Sequence, residues 1–352
     1  RRFCKTISAR MGTLGFTAWI VALAIALGAG GLTKAETGCA PLTIAAESAQ
    51  TAAPSLTDGR SADAVPAASH KIPSFEGITP VQWAVLGLAA ALLGVLWWRD
   101  VIRPGSFRRN GLRKTGELGA LVWVFGAIAT FLIAQIGGTI ALVGLGVKLS
   151  ETDTPGPRVQ GLYAIVSYGM GITAAGVLLG LFRRASPGAE GITPRWKDGL
   201  WGVLAFAIIM PIVMSVSQLS VWLAWAVERW YPEPIAHKTL QEIVDNPSNP
   251  WVWVMAAGAV VGAPIVEEFV YRVCLQGALV RATKRAWLSI LVVSTLFALA
   301  HWGRVPWHAM ITLGFLGCAI GVAYERTRSL LVPITVHVLF NAANIAMALF
   351  FK

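Results

Sequence analysis

Residues 251–280 form an apolar run long enough to cross a bilayer, yet Glu267, Glu268 and Arg272 stand near its middle. At the centre of a lone membrane helix each such charge costs roughly 2.5–3.5 kcal/mol, about 8–10 kcal/mol for the three. The run's twelve Val, Leu, Ile and Phe residues return about 0.3–0.6 kcal/mol each, roughly 6 kcal/mol together. A helix of this kind cannot face lipid on every side. Its charged face must turn into a helix bundle or a wet cavity, and carboxylates in such a place are candidates for function.

Composition agrees. Hydrophobic residues make up 55% of the chain and charged residues 13%, where a soluble domain carries about 25% charged. The 15 Trp suit membrane interfaces. A net charge of +11 would fit a nucleic-acid partner only if the basic residues formed a patch. Instead they fall in alternate loops: nineteen Lys and Arg on one side of the expected membrane against eight on the other, if the amino terminus is inside. That asymmetry is the positive-inside pattern, so the charge reflects orientation in a bilayer and no nucleic acid is expected as a partner. The carboxyl terminus is then expected outside.

Four basic residues precede an apolar segment over 16–32 that ends in small residues, the layout of a signal sequence or signal anchor. Thr37-Gly38-Cys39 has the Gly-Cys of a lipoprotein cleavage site, but Glu36 stands where an aliphatic residue belongs. Residues 34–74, rich in Ala, Ser, Thr, Pro and Asp and without apolar periodicity, read as a disordered linker, and His70 belongs to it. Apolar stretches follow near 81–98, 118–147, 161–182, 200–227, 251–280, 286–302, 307–324 and 330–351. The expected fold is all-α, a polytopic transmembrane bundle of about eight membrane helices plus the amino-terminal segment. Its parts are a signal-like segment and linker (1–80), four accessory membrane helices (81–250) and a carboxyl-terminal helical unit (251–352). The long outer loop over 228–250, with its Pro residues, is expected to lie over the mouth of the bundle. A signal-like start followed by such a linker points to the inner membrane of a bacterium.

Cys4, Cys39, Cys274 and Cys318 show no CxxC spacing, which argues against a zinc knuckle or a disulfide framework. The chain has no Walker loop and no HExxH. Three polar constellations remain, all at helical spacing in the last hundred residues. Glu268 and Arg272 are four apart and share a face, in the favourable order for a pair. Glu267 is turned about 100° from Glu268, so one carboxylate can pair while the other faces elsewhere. Pro264 can kink the helix and free backbone groups beside them. Phe297 and His301 share a face, as do His337 and Asn341. Each alone could be a packing device. Together, a carboxylate, two imidazoles and an amide on three membrane helices supply a base, a water-positioning or metal-binding pair, and a donor for an oxyanion.

These residues carry a resemblance. Glu267-Glu268-Phe269-Val270-Tyr271-Arg272 resembles the EExxxR motif of the CPBP family of intramembrane proteases, which includes the type II CAAX prenyl endopeptidases and the bacterial Abi proteins. Phe297 to His301 is similar to that family's FxxxH, and His337 to Asn341 to its HxxxN. The run from Tyr324 to Leu330 is also similar to the family's approach to its last motif, except that Arg328 stands where Gly is common.

The resemblance implies an intramembrane endopeptidase acting on a membrane-associated protein or peptide within the lipid bilayer. Glu267 with His301 would activate water, His337 with Asn341 would stabilise the oxyanion, and Glu268 with Arg272 would support them. It leaves open a divalent metal such as Zn2+ held by Glu267, His301 and His337, or metal-free glutamate catalysis. Maturation of CAAX-box proteins, bacteriocin processing, self-immunity and regulated proteolysis all fit as biological uses. Two other classes are compatible with the residues: a transporter whose pathway is lined by Glu268, Arg272, Gln135 and Gln218, and a catalytically silent scaffold that escorts membrane proteins.

Overall fold

The computed structural model describes residues 79–147, 156–228 and 238–350, so the signal-like segment, Gly38-Cys39, the linker with His70, and part of the outer loop lie outside the described residues. What is described is helical, with no strand among the described residues. The helices are α1 (Pro80–Trp98), the short α2 (Ser106–Arg109), α3 (Ala120–Gly144), α4 (Pro157–Ala185), α5 (Asp198–Glu228), α6 (Lys238–Asp245), α7 (Pro250–Thr283), α8 (Ala286–Leu299), α9 (Trp307–Thr327) and α10 (Leu331–Phe350). Seven of these, α1, α3, α4, α5, α7, α9 and α10, are long and apolar enough to cross a membrane. The protein is an integral, multi-pass membrane protein with an all-α bundle.

The sixth expected stretch, 286–302, differs from the others. Its helix α8 has 14 residues, about 21 Å of rise against a hydrocarbon core of about 30 Å. It stops short, and the turn that follows it carries His301, half-buried, with its ring against Phe297.

Helix α7 is central. It packs against α3, α4, α8, α9 and α10, whereas α1 lies at the edge against α5. Half of α7's most apolar window is buried, against 6% for α1. This is how the energetic problem of the charged run is solved: Phe269, Val270, Tyr271, Val273, Cys274 and their neighbours sink into the main core with Trp123, Phe182 and Phe297. Outside that core, Ile243 of α6 packs with Val252 and Ala256 of α7 and Ile345 and Leu349 of α10. The described part of the outer loop therefore rests on the end of the bundle where α7 begins and α10 ends.

Two segments of α7, Gly258–Gly262 and Phe269–Gln276, are wound as π-helix, and they flank Pro264. Proline has no N–H to donate and its ring crowds the preceding turn, so a regular ladder cannot pass through it. The N–H of Ala263 goes to the carbonyl of Gly258. In that register the next donor would be Pro264, which leaves the carbonyl of Ala259 open.

Candidate active site

That open carbonyl has a partner. Asn341 Nδ2 of α10 donates to Ala259 O at 2.8 Å. Part of the amide's role is thus structural: it closes a backbone gap made by Pro264 and joins α10 to α7 one turn along α10 from His337. A second N–H remains on the amide, since an Asn side chain carries two.

The expected pair is formed. Arg272 Nε donates to Glu268 Oε2 at 2.9 Å, with both side chains fully buried. The other carboxylate oxygen, Glu268 Oε1, lies 2.8 Å from Nδ1 of His337. A carboxylate is an acceptor, so His337 carries its proton on Nδ1, and Nε2 is turned toward Glu267 Oε2, 3.9 Å away. Adjacent in sequence, the two glutamates thus have different surroundings. Glu268 is buried and committed to two partners, while the Glu267 side chain keeps 28% of its surface. This is the consequence of the 100° turn between neighbours on a helix.

His301 is oriented by its own helix end. Its Nδ1 lies 2.8 Å from the carbonyl of Phe297, which can only accept, so Nε2 is the nitrogen left with a free lone pair in the neutral ring. Phe297 is the apolar hub of the site. Its ring stands 4.9 Å from that of His301, 5.7 Å from that of His337 and 5.2 Å from that of Tyr271. The Arg272 guanidinium lies 5.9 Å from its centroid. The FxxxH spacing is legible as a helix face, but the three-way role of the Phe is not.

Glu267 and His337 approach each other, but Glu267, His301 and His337 are not assembled as a zinc site. Among the described residues no group of three or more His, Cys, Asp or Glu stands where it could hold a metal ion. Catalytic zinc needs its donors about 2.0–2.2 Å from one common point. One Glu and two His are a donor set that catalytic zinc takes, but the three are not so gathered here, and the hydrolysis is derived from the side chains alone.

Several residues near the site were not singled out from sequence. Tyr168 of α4 packs on Gly258 and Gly262; a Cβ on Gly262 would lie 2.8 Å from its side chain. Glycine there lets the ring lie directly on the π-wound turn that presents Ala259 O. Arg272 Nη1 also donates to Gln276 Oε1 at 3.4 Å, Gln276 Nε2 donates to Glu325 Oε1 at 3.0 Å, and Glu325 pairs with Arg113 at 3.3 Å. Burial works against the charge on Arg113, but Tyr324 and Glu325 beside it hold its pKa above the ordinary guanidinium value. The step from Arg272 to Gln276 was readable as another i, i+4 contact. The pairing of Arg113 with Glu325, across most of the chain, was not.

Gln135 and Gln218, the other members of the possible transport pathway, are engaged elsewhere. Gln135 Oε1 accepts from Tyr163 of α4, and Gln218 Oε1 accepts from Gln82 of α1.

Residues 249–343 match the family model described as Type II CAAX prenyl endopeptidase Rce1-like, a stretch that contains all three motifs. The match supports the resemblance to the CPBP proteases read from those motifs. No curated protein and no solved structure matches the chain.

Proposed function

Taking that family similarity over residues 249–343 as the premise, we propose that the protein is an intramembrane endopeptidase that hydrolyses a peptide bond of a membrane-associated protein or peptide. The observation that carries the reading is the division of labour between adjacent carboxylates: Glu268 holds Arg272 and His337, and Glu267 is left open beside His337 Nε2.

Glu267 takes a proton from water as the oxygen attacks the carbonyl carbon of the substrate, and His301 Nε2 accepts the water's other hydrogen as a hydrogen bond. The carbonyl becomes a tetrahedral oxyanion. With His337 protonated between the two carboxylates, its Nε2–H donates to that oxyanion together with the second N–H of Asn341. Glu267 then passes its proton to the amide nitrogen, the oxyanion collapses to C=O as the C–N bond breaks, and a carboxylic acid and an amine leave, the acid giving up its remaining proton to the amine or to water. Glu268 and Arg272 keep His337 oriented. Each donor is preset in a poorly solvated site, where its effect on a developing charge exceeds that in water.

The test uses purified protein in lipid nanodiscs with a panel of single-span membrane peptides, analysed by mass spectrometry. New peptide termini that do not form with Glu267→Gln support the protease. Binding without cleavage would favour a scaffold, and solute flux in sealed vesicles a transporter; either result without cleavage contradicts the proposal.

A further inference from the structure

A line of buried polar groups leaves the site and runs through the bundle to the loops between α1 and α3 and between α4 and α5. His337, Glu268, Arg272, Gln276, Glu325 and Arg113 are joined in that order, and all six are buried. At its far end Arg113 Nη1 donates to the carbonyl of Glu190 at 3.0 Å. The Glu190 carboxylate is tied to Arg328 and to the N–H of Lys114.

Gln276 is the joint that gives this line a direction. Its Nε2 donates to two acceptors, Gly321 O at 3.2 Å and Glu325 Oε1 at 3.0 Å. With the nitrogen so placed, the amide oxygen has to face the other way, toward Arg272 Nη1. Glu268 holds Arg272 at Nε and Gln276 holds it at Nη1, while Nη2 is buried without a hydrogen-bond partner among the described residues. Gly321 marks how closely the parts fit: a Cβ there would stand 3.0 Å from Gln276 Oε1 and 3.3 Å from Arg272 Nη1.

We propose that Gln276, Glu325 and Arg113 are positioning residues for this site. Glu325, held by Arg113, orients the Gln276 amide; Gln276 holds the Arg272 guanidinium; Arg272 keeps Glu268 aimed at His337. The proposal rests on the protease reading for its effect on rate, but not for its effect on His337. Glu325 accepts from Gln276 as well as from Arg113, which ties the Gln276 amide to the buried Arg113 charge. Burying such a network is costly, and one that served stability alone could be replaced by apolar packing at little loss.

The experiment compares wild type with Gln276→Met, Glu325→Gln and Glu325→Leu in nanodiscs. It reads kcat and KM on a cleaved membrane peptide, the thermal midpoint, and the 15N ring signals of His337 in histidine-labelled protein. The chain has five His, so the signal is assigned by its loss in His337→Asn. Gln276→Met and Glu325→Leu are expected to lower kcat about 10–100-fold with KM unchanged, as loss of a support behind a functional histidine does elsewhere. Both should move the His337 Nδ1 signal. Glu325→Gln keeps an oxygen for Gln276 Nε2, so it should lower the thermal midpoint yet keep most of the kcat per folded molecule and the wild-type His337 signal. Gly321→Ala, which displaces the Gln276 oxygen without deleting a polar group, serves if Gln276→Met does not fold. Unchanged kcat and an unmoved His337 signal in the folded variants would overturn the proposal. So would a Glu325→Gln protein as impaired per folded molecule as Glu325→Leu. Should the wild type cleave nothing, the protease reading fails and the His337 signal alone decides the positioning.

Discussion

Nδ1 of His337 lies 2.8 Å from Oε1 of Glu268, a residue 69 positions earlier in the chain. That one hydrogen bond joins the last helix to the most charged turn of α7 and places a proton on Nδ1 of the imidazole. Because the same carboxylate also holds Arg272, the ring, the guanidinium and the carboxylate form one unit, and Glu267 stands outside it.

Removing Glu268 should therefore damage the fold first. Glu268→Gln leaves Arg272 buried with its charge uncompensated, which costs about 3–5 kcal/mol. The expected result is a large fall in thermal midpoint or in yield of folded protein. Thermal melts of the purified variant check this, and a wild-type midpoint would contradict it.

Asn341 has two tasks, and its loss should show both. Asn341→Ala is expected to lower turnover roughly 10²–10³-fold through the lost oxyanion donor. It also leaves Ala259 O without its partner, at a cost of about 1–3 kcal/mol. Cleavage rates and denaturant melts separate the two effects. A destabilised variant with wild-type turnover per folded molecule would reduce Asn341 to the packing role.

Topology is testable by fusion. A reporter active only in the cytoplasm should work after Arg109, Arg195 or Lys284 and fail after Pro157 or Asn246, because the basic loops stay inside. The reverse pattern would overturn the orientation.

On the metal-free account, dialysis against a strong chelator should leave the cleavage rate unchanged, and added Zn2+ should not raise it. Loss of activity on chelation, restored by one equivalent of zinc, would mean that Glu267, His301 and His337 come together when the ion binds.

The helices and the three motifs were legible because their signals are local. Apolar length marks a span, and spacings of four put Glu268 with Arg272, and Phe297 with His301, on shared faces. The short α8 was read as a full span because apolar residues continue past its end; a turn at Ala300 and His301, not a change of composition, stops it. Pro264 signalled a freed backbone group, but which side chain would fill the gap depended on the packing of α10 against α7. The Glu268–His337 and Arg113–Glu325 contacts were equally invisible, since nothing local in either partner names the other.

The central claim is that Glu267 is the base and Glu268 its neighbour's support, and the cleavage rate per folded molecule of Glu267→Gln tests it most directly. The substitution keeps size and hydrogen bonding and removes only the basic carboxylate, from a side chain whose one ion-pair approach among the described residues is that to His337 at 3.9 Å. The account predicts a thermal midpoint close to wild type and a rate lower by about 10²–10⁴-fold, the usual contribution of a general base. A Glu267→Gln protein that cleaves at the wild-type rate, beside a stable and inactive Glu268→Gln, would contradict it and assign the base to Glu268.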